Sequence, residues 1–158
     1  MKGGGLPGVR ADAPIRGCLL SQRQRGAPLN WSVRRSMEHL RPEQFVSLSN
    51  PGVTSLQLLS PHNSKSARVT ITKVVIAPGA VQPRHSHASS EQIWCALSGS
   101  GTLLLANGER RPICAGEVVR FADGDVHGLE NSGTLPFEYL SVTSPPINFD
   151  YAYANRGA

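Results

Sequence analysis

Cysteine is scarce in this chain of 158 residues, long apolar runs are missing, and charge is sparse at 17%. The three cysteines, Cys18, Cys95 and Cys114, are odd in number, form no CxxC pair and have no histidine partner at zinc-finger spacing. This excludes a disulfide scaffold and a structural zinc finger. Cys95 and Cys114 lie in apolar stretches, where a free thiol acts as a small hydrophobe, and this fits a reducing cytoplasm. The longest wholly apolar runs, 74–78 and 103–106, are a few residues each. A membrane-spanning helix needs roughly 20, so no span is expected. With 39% hydrophobic residues at this length, the chain has the composition of one modest globular domain.

The formal charge of +5 suggests nucleic acid until it is divided along the chain. Residues 1–36 hold seven Lys/Arg against Asp12 alone, a net of +6, whereas residues 37–158 hold nine Lys/Arg against ten Asp/Glu. The basicity belongs to a Gly-, Arg-, Pro- and Ser-rich N-terminal extension, read as disordered. The rest has no basic face for phosphate backbones, so no nucleic-acid partner is expected. The apolar cluster Cys18-Leu19-Leu20 is too short for a secretory signal. After Arg34-Arg35 come Met37, Glu38 and His39, where a twin-arginine signal needs an apolar core. An organellar transit peptide or a nucleic-acid-binding arm stays open for this extension. The domain itself, residues 37–158, is assigned to the cytoplasm.

Sixteen glycines and twelve prolines punctuate the chain, with Val, Ile and Thr clustered between them. Residues 40–48, with Pro42 in the first turn and Glu43 near the positive end of the dipole, predict one short helix. From there on, strands are predicted at 53–59, 67–76, 84–87, 92–97, 102–106, 110–114, 117–121, 126–130 and 137–143. Asn107-Gly108 between two of them predicts a primed two-residue turn. Nine strands without crossover helices imply an all-β, antiparallel sandwich or barrel. The stretch 92–97 is apolar on both parities, so its outer face needs a cover. A second copy of the chain in a homodimer, or segment 53–59 folded back across the sheet, would supply one.

Two stretches carry the chemistry. In the first, Gly79 is followed after five residues by His85, after one more by His87, after four by Gln92 and after six by Gly99. On an extended strand His85 and His87 project to one face about 6–7 Å apart, which suits two imidazoles converging on a metal. In the second, Gly116 is followed after five residues by Ala122, after one by Gly124, after two by His127 and after three by Asn131. Sixteen residues separate Gly99 from Gly116.

These stretches resemble the two motifs of the cupin superfamily, small single-domain members in particular. The resemblance implies an antiparallel double-stranded β-helix, the jelly-roll barrel, with a metal near one mouth. It also implies that His85, His87 and His127 are ligands of one divalent transition metal, with the fourth ligand from Gln92 or the neighbouring Glu91. Two departures stand out. The usual proline of the second motif is Ala122, which should loosen that turn. The expected spacing falls on Gln92 rather than on a carboxylate. Only one of two neighbours on a strand points inward, and Gln92 shares its parity with Trp94 and Ala96, so Gln92 is preferred. Three imidazoles and an amide leave the ion its full +2 charge, and such nitrogen and oxygen donors suit Mn, Fe, Ni, Co or Zn alike.

His39 and His62 lie outside the motifs and are read as ordinary surface or structural histidines. Trp94, Arg120 and Tyr139 are candidates to line the pocket, with core packing the competing role for Trp94 and an outer position for Arg120. Tyr151 and Tyr153 are candidates to cap the mouth. Glu91, where not a ligand, is a candidate to orient one or to move a proton. The resemblance implies a metalloenzyme of isomerase, hydrolase or dioxygenase type acting on a small sugar acid, hydroxy or keto acid, or sugar derivative. The alternative is a non-catalytic small-molecule-binding barrel with a structural metal or none.

Overall fold

The computed structural model describes residues 37–153 and a short final strand, Asn155–Arg156. The basic extension 1–36 and Cys18 lie outside the described residues. Among the described residues eleven strands follow one another: β1 Val46–Asn50, β2 Val53–Leu59, β3 Thr70–Ile76, β4 Val81–His85, β5 Glu91–Ser98, β6 Ser100–Leu104, β7 Arg110–Cys114, β8 Val118–Phe121, β9 His127–Glu130, β10 Phe137–Ser144 and β11 Asn155–Arg156. They pair antiparallel into a seven-stranded sheet, ordered β11-β1-β2-β3-β10-β5-β8, and a four-stranded sheet, ordered β4-β9-β6-β7. Val74, Ile76, Trp94 and Phe137 from the first sheet pack with Leu103, Ile113 and Leu129 from the second in one core. This is the all-β jelly-roll barrel expected from the sequence.

The largest departure is at the start. The predicted helix 40–48 is a single 3-10 turn, Pro42–Gln44, followed by β1. In Val46-Ser47-Leu48-Ser49-Asn50 every second residue is polar, which is a strand period, and the Pro51-Gly52 turn folds β1 onto β2. Gly52 has φ +74°, a left-handed conformation that closes this hairpin at little steric cost. Segment 53–59 therefore lies in the plane of the sheet, hydrogen-bonded to β1 and β3, and does not cover the outer face. The Asn107-Gly108 turn has both residues at positive φ, 54° and 78°, as a primed turn requires.

Predicted strand 84–87 is displaced. β4 ends at His85, and its pairing with β9 shifts between Gln82 and His85. Pro83 sits at the shift and has no N–H to give the ladder, which is interrupted there; the strand itself runs on to His85, and His87 lies beyond its end. Of the two cysteines in the described region, Cys95 is half-buried and Cys114 exposed, so neither is a core residue.

Candidate metal centre

His85 and His127 face each other as a direct cross-strand pair of β4 and β9, with ring centroids 4.4 Å apart. Close approach of these strands depends on Gly128, where a Cβ would stand 2.7 Å from the Gln82 carbonyl oxygen and 2.9 Å from the Pro83 carbonyl carbon. His87 joins from the loop after β4, its ring 5.0 Å from that of His85 and 5.2 Å from that of His127. The loop is fixed by the Gly124 N–H donating to the His87 carbonyl at 2.8 Å, which ties the two motifs together. One ligand atom from each of the three imidazoles lies within 4.8 Å of the others.

Hydrogen bonds select which nitrogens face the centre. The His85 Nδ1 is 2.9 Å from the Pro83 carbonyl oxygen and the His127 Nδ1 is 2.8 Å from that of Asp125. A carbonyl only accepts, so both Nδ1 atoms carry hydrogen, and the neutral form of each ring has its lone pair on Nε2. The Nε2 atoms of His87 and His127 are buried without a partner. Burial, followed by the charge of His85, lowers the pKa of both rings to about 4, so they are neutral at pH 7. His127 is held flat by Phe121, stacked at 4.3 Å and 15°, with Trp94 on edge at 5.4 Å. Neutral, converging, unpartnered imidazole nitrogens are the donor set a divalent transition ion takes, and these residues fit one.

Gln92 points inward from β5 and is buried, while Glu91 lies on the outer face in an ion pair with Arg120. The Gln92 amide donates to the Thr143 hydroxyl at 3.0 Å, and its oxygen accepts from the Trp94 indole N–H at 2.9 Å, which sets the amide's orientation. Arg120 is thus not a pocket residue: alternation along β8 turns it outward, and Glu91 holds it there. Trp94 packs behind the centre, against Phe121 and Tyr139, rather than lining the cavity. His39 and His62 are exposed and outside the cluster.

The turn carrying Ala122 is not loose. Ala122 donates its N–H to the Asp125 carboxylate at 2.8 Å, a bond proline cannot make, and Asp125 donates back to the Ala122 carbonyl at 3.0 Å. Asn131 is fully buried and structural, its amide donating to the carbonyls of Ile76 and Leu135, each at 2.9 Å.

A cavity of about 260 Å³ opens beside the imidazoles, reached by His85, His87, Gln92 and Tyr139. Tyr139 donates to the Gln82 amide oxygen at 2.7 Å, and burial holds its pKa well above the usual phenol value. Phe149, Tyr151 and Tyr153 of the C-terminal arm form one wall, with Phe149 edge-on to His87 at 5.7 Å. Sequence reasoning missed Ser55, Thr72, Ser141 and Arg84, which also line the cavity. The alternation of Ser55, Thr72 and Ser141 with Leu56, Ile71 and Val142 was the available signal, but it inverts the usual rule by placing the polar set inside.

Known proteins resemble this chain in sequence and fold. The Cupin domain family model matches residues 72–143. The Oxalate-binding protein of Thermotoga maritima is 30% identical over 112 residues, 70% of this chain and 91% of that protein. A Cupin 2 conserved barrel domain protein from Salinispora arenicola superposes with a TM-score of 0.56 at 26% identity, covering 68% of this chain and 89% of that one. A predicted oxalate decarboxylase structure, also from Thermotoga maritima, superposes with a TM-score of 0.58 at 24% identity over 68% of this chain and 98% of the other, a likeness of fold. Both histidine motifs fall inside the matched span, on a barrel common to these relatives, and the chain belongs to the cupin family.

Proposed function

We propose that the chain holds one divalent transition metal (Mn, Fe, Ni, Co or Zn) on the Nε2 atoms of His85, His87 and His127 with Gln92 as fourth donor, and acts on a small oxygen-rich anion in the adjoining cavity. The observation that carries this reading is the pair of buried, unpartnered Nε2 atoms of His87 and His127. Bound among neutral donors, such an ion supplies a Lewis acid of full +2 charge. The chain's own residues do the rest. The Asp125 and Pro83 carbonyls hold the rings in the donor tautomer. Burial keeps the Tyr139 phenol protonated, so it stays a hydrogen-bond donor. Phe149, Tyr151 and Tyr153 of the C-terminal arm supply an aromatic wall to the cavity. The cavity lies near the lower end of the roughly 300–1,000 Å³ of small-molecule sites. A relative named for binding oxalate supports a carboxylate-bearing ligand.

A second reading, a binding module without turnover, is favoured by one observation: among the described residues no Asp or Glu lines the cavity, so no carboxylate is at hand to move protons. The first reading requires the ligand to meet the metal, whereas a binding module with a structural metal or none does not. Thermal unfolding of metal-free and metal-loaded protein with oxalate, malate and gluconate tests this. At least one anion should raise the midpoint of the loaded form alone, whereas equal stabilisation of both forms would contradict it. Turnover of a stabilising anion then separates enzyme from binding module.

A further inference from the structure

Across the inner face of the seven-stranded sheet runs a row of polar side chains without partners. Gln57 on β2 pairs with Thr72 on β3, and Thr72 pairs with Ser141 on β10, so the three stand side by side about 4.8 Å apart. Their exposures are 1%, 3% and 3%. The Gln57 Nε2, the Thr72 hydroxyl and the Ser141 hydroxyl all lack a hydrogen-bond partner. More than nine in ten buried polar groups are satisfied in folded proteins, so three neighbours left open on one row form a prepared surface. Thr72 and Ser141 line the same cavity as His85, His87 and Gln92.

We propose that Thr72 and Ser141, backed by Gln57, form a second anchoring point in the cavity, which takes the neutral hydroxyl or carbonyl oxygens of a ligand whose anionic end lies at the histidines. The proposal rests on the metal-site reading for that anionic end. Charge decides which end goes where. Arg84 is the one permanently charged residue among those described as lining the cavity, and it is exposed, with its Nε donating to the Leu105 carbonyl at 2.9 Å. The hydroxyl row faces no cation, and an ionised carboxylate buried there would be uncompensated. Two hydroxyls and an amide instead match neutral oxygens, each able to accept or donate as needed. The ligand class is therefore a polyhydroxylated monocarboxylate, not a dicarboxylate.

The test titrates manganese-loaded full-length protein calorimetrically with three six-carbon acids: gluconate, hydroxylated along its length; adipate, carboxylated at the far end; and hexanoate, bare. Gluconate should bind about tenfold more tightly than either, the worth of two hydrogen bonds. Thr72→Val combined with Ser141→Ala should bring gluconate to within about twofold of hexanoate, with manganese and hexanoate affinities unchanged. The double variant should also keep its unfolding midpoint within about 4 °C of the parent, because removing unpartnered hydroxyls breaks no bond. Adipate or hexanoate binding as tightly as gluconate, a preference that survives the double substitution, or a larger fall in midpoint would overturn the proposal. Where wild-type protein binds no manganese, Fe, Co, Ni and Zn replace it in turn, and failure to bind any of the five sinks the metal reading instead. The same comparison on metal-free protein then judges the hydroxyl row alone: a gluconate preference lost in the double variant supports it, and no preference overturns it.

Discussion

Glu91 and Gln92 are neighbours with opposite fates, and the pleat of β5 decides between them. Gln92 reaches the cavity and Glu91 is spent on Arg120. On the proposed ligand set, Gln92→Ala should weaken metal binding by about tenfold or more, while Glu91→Ala leaves it within about twofold, as metal titration would report. The reverse order would assign the fourth donor to the carboxylate. The buried imidazoles also set a pH response. An unfolded histidine titrates near 6.5, and His87 and His127 are lowered to about 4 in the fold, so between these values the unfolded chain binds more protons. Stability of the metal-free protein is undiminished by these groups above pH 6.5 and falls as pH drops toward 4. His127→Gln should flatten part of that slope in thermal unfolding between pH 6.5 and 4.5; an unchanged slope would contradict the burial account. Which residues face inward was legible where large groups mark the parity, as with Gln92, Trp94 and Ala96 on β5. It was illegible on β2, where Ser55 and Gln57 turn inward and Leu56 outward, because a barrel that encloses a polar cavity inverts the usual pattern.

Elements that position the site are less regular than the strand periods imply. The β4 ladder shifts at Pro83 and the strand ends at His85, so His85 and His87 converge from a strand end and the loop after it and not along one pleated face. Gly128 then lets β9 press against that shift. Gly128→Ala would drive a methyl into the Gln82 and Pro83 backbone, which cannot swing aside, at a cost of about 1–3 kcal/mol. Urea unfolding should show the loss, accompanied by weaker metal binding since His85 and His127 are set by the same pairing; unchanged stability would mean that the strands can part without harm. Most strands were legible from turn residues and β-branched runs. The first was not, because Pro42 and Glu43 satisfy helix-start rules in a segment that makes only one 3-10 turn before alternation takes over.

At the scale of the molecule, the outer face of β5 and β8 is apolar at Ile93, Cys95, Leu97 and Val118, beside the Glu91–Arg120 ion pair. Leu97 is 50% exposed and Val118 65%, and Ile93 and Cys95 beside them are half-buried. We propose this face as the seat of a second copy of the chain in a homodimer. Sedimentation equilibrium should give a dimer for the parent and a monomer for Leu97→Lys with Val118→Lys; a monomeric parent would refute it. Family and barrel could be read from two short motifs because metal ligands demand fixed spacing, whereas the ligand's identity depends on cavity residues drawn from six different strands with no spacing in common.

The metal is the central claim, and elemental content of the purified, untagged protein tests it most directly. Near one equivalent of a single transition metal per chain is predicted, natively or after reconstitution, falling to a small fraction when His85, His87 or His127 is replaced by alanine. No bound metal after reconstitution with each of Mn, Fe, Co, Ni and Zn, or full occupancy in the His127→Ala variant, would contradict the account.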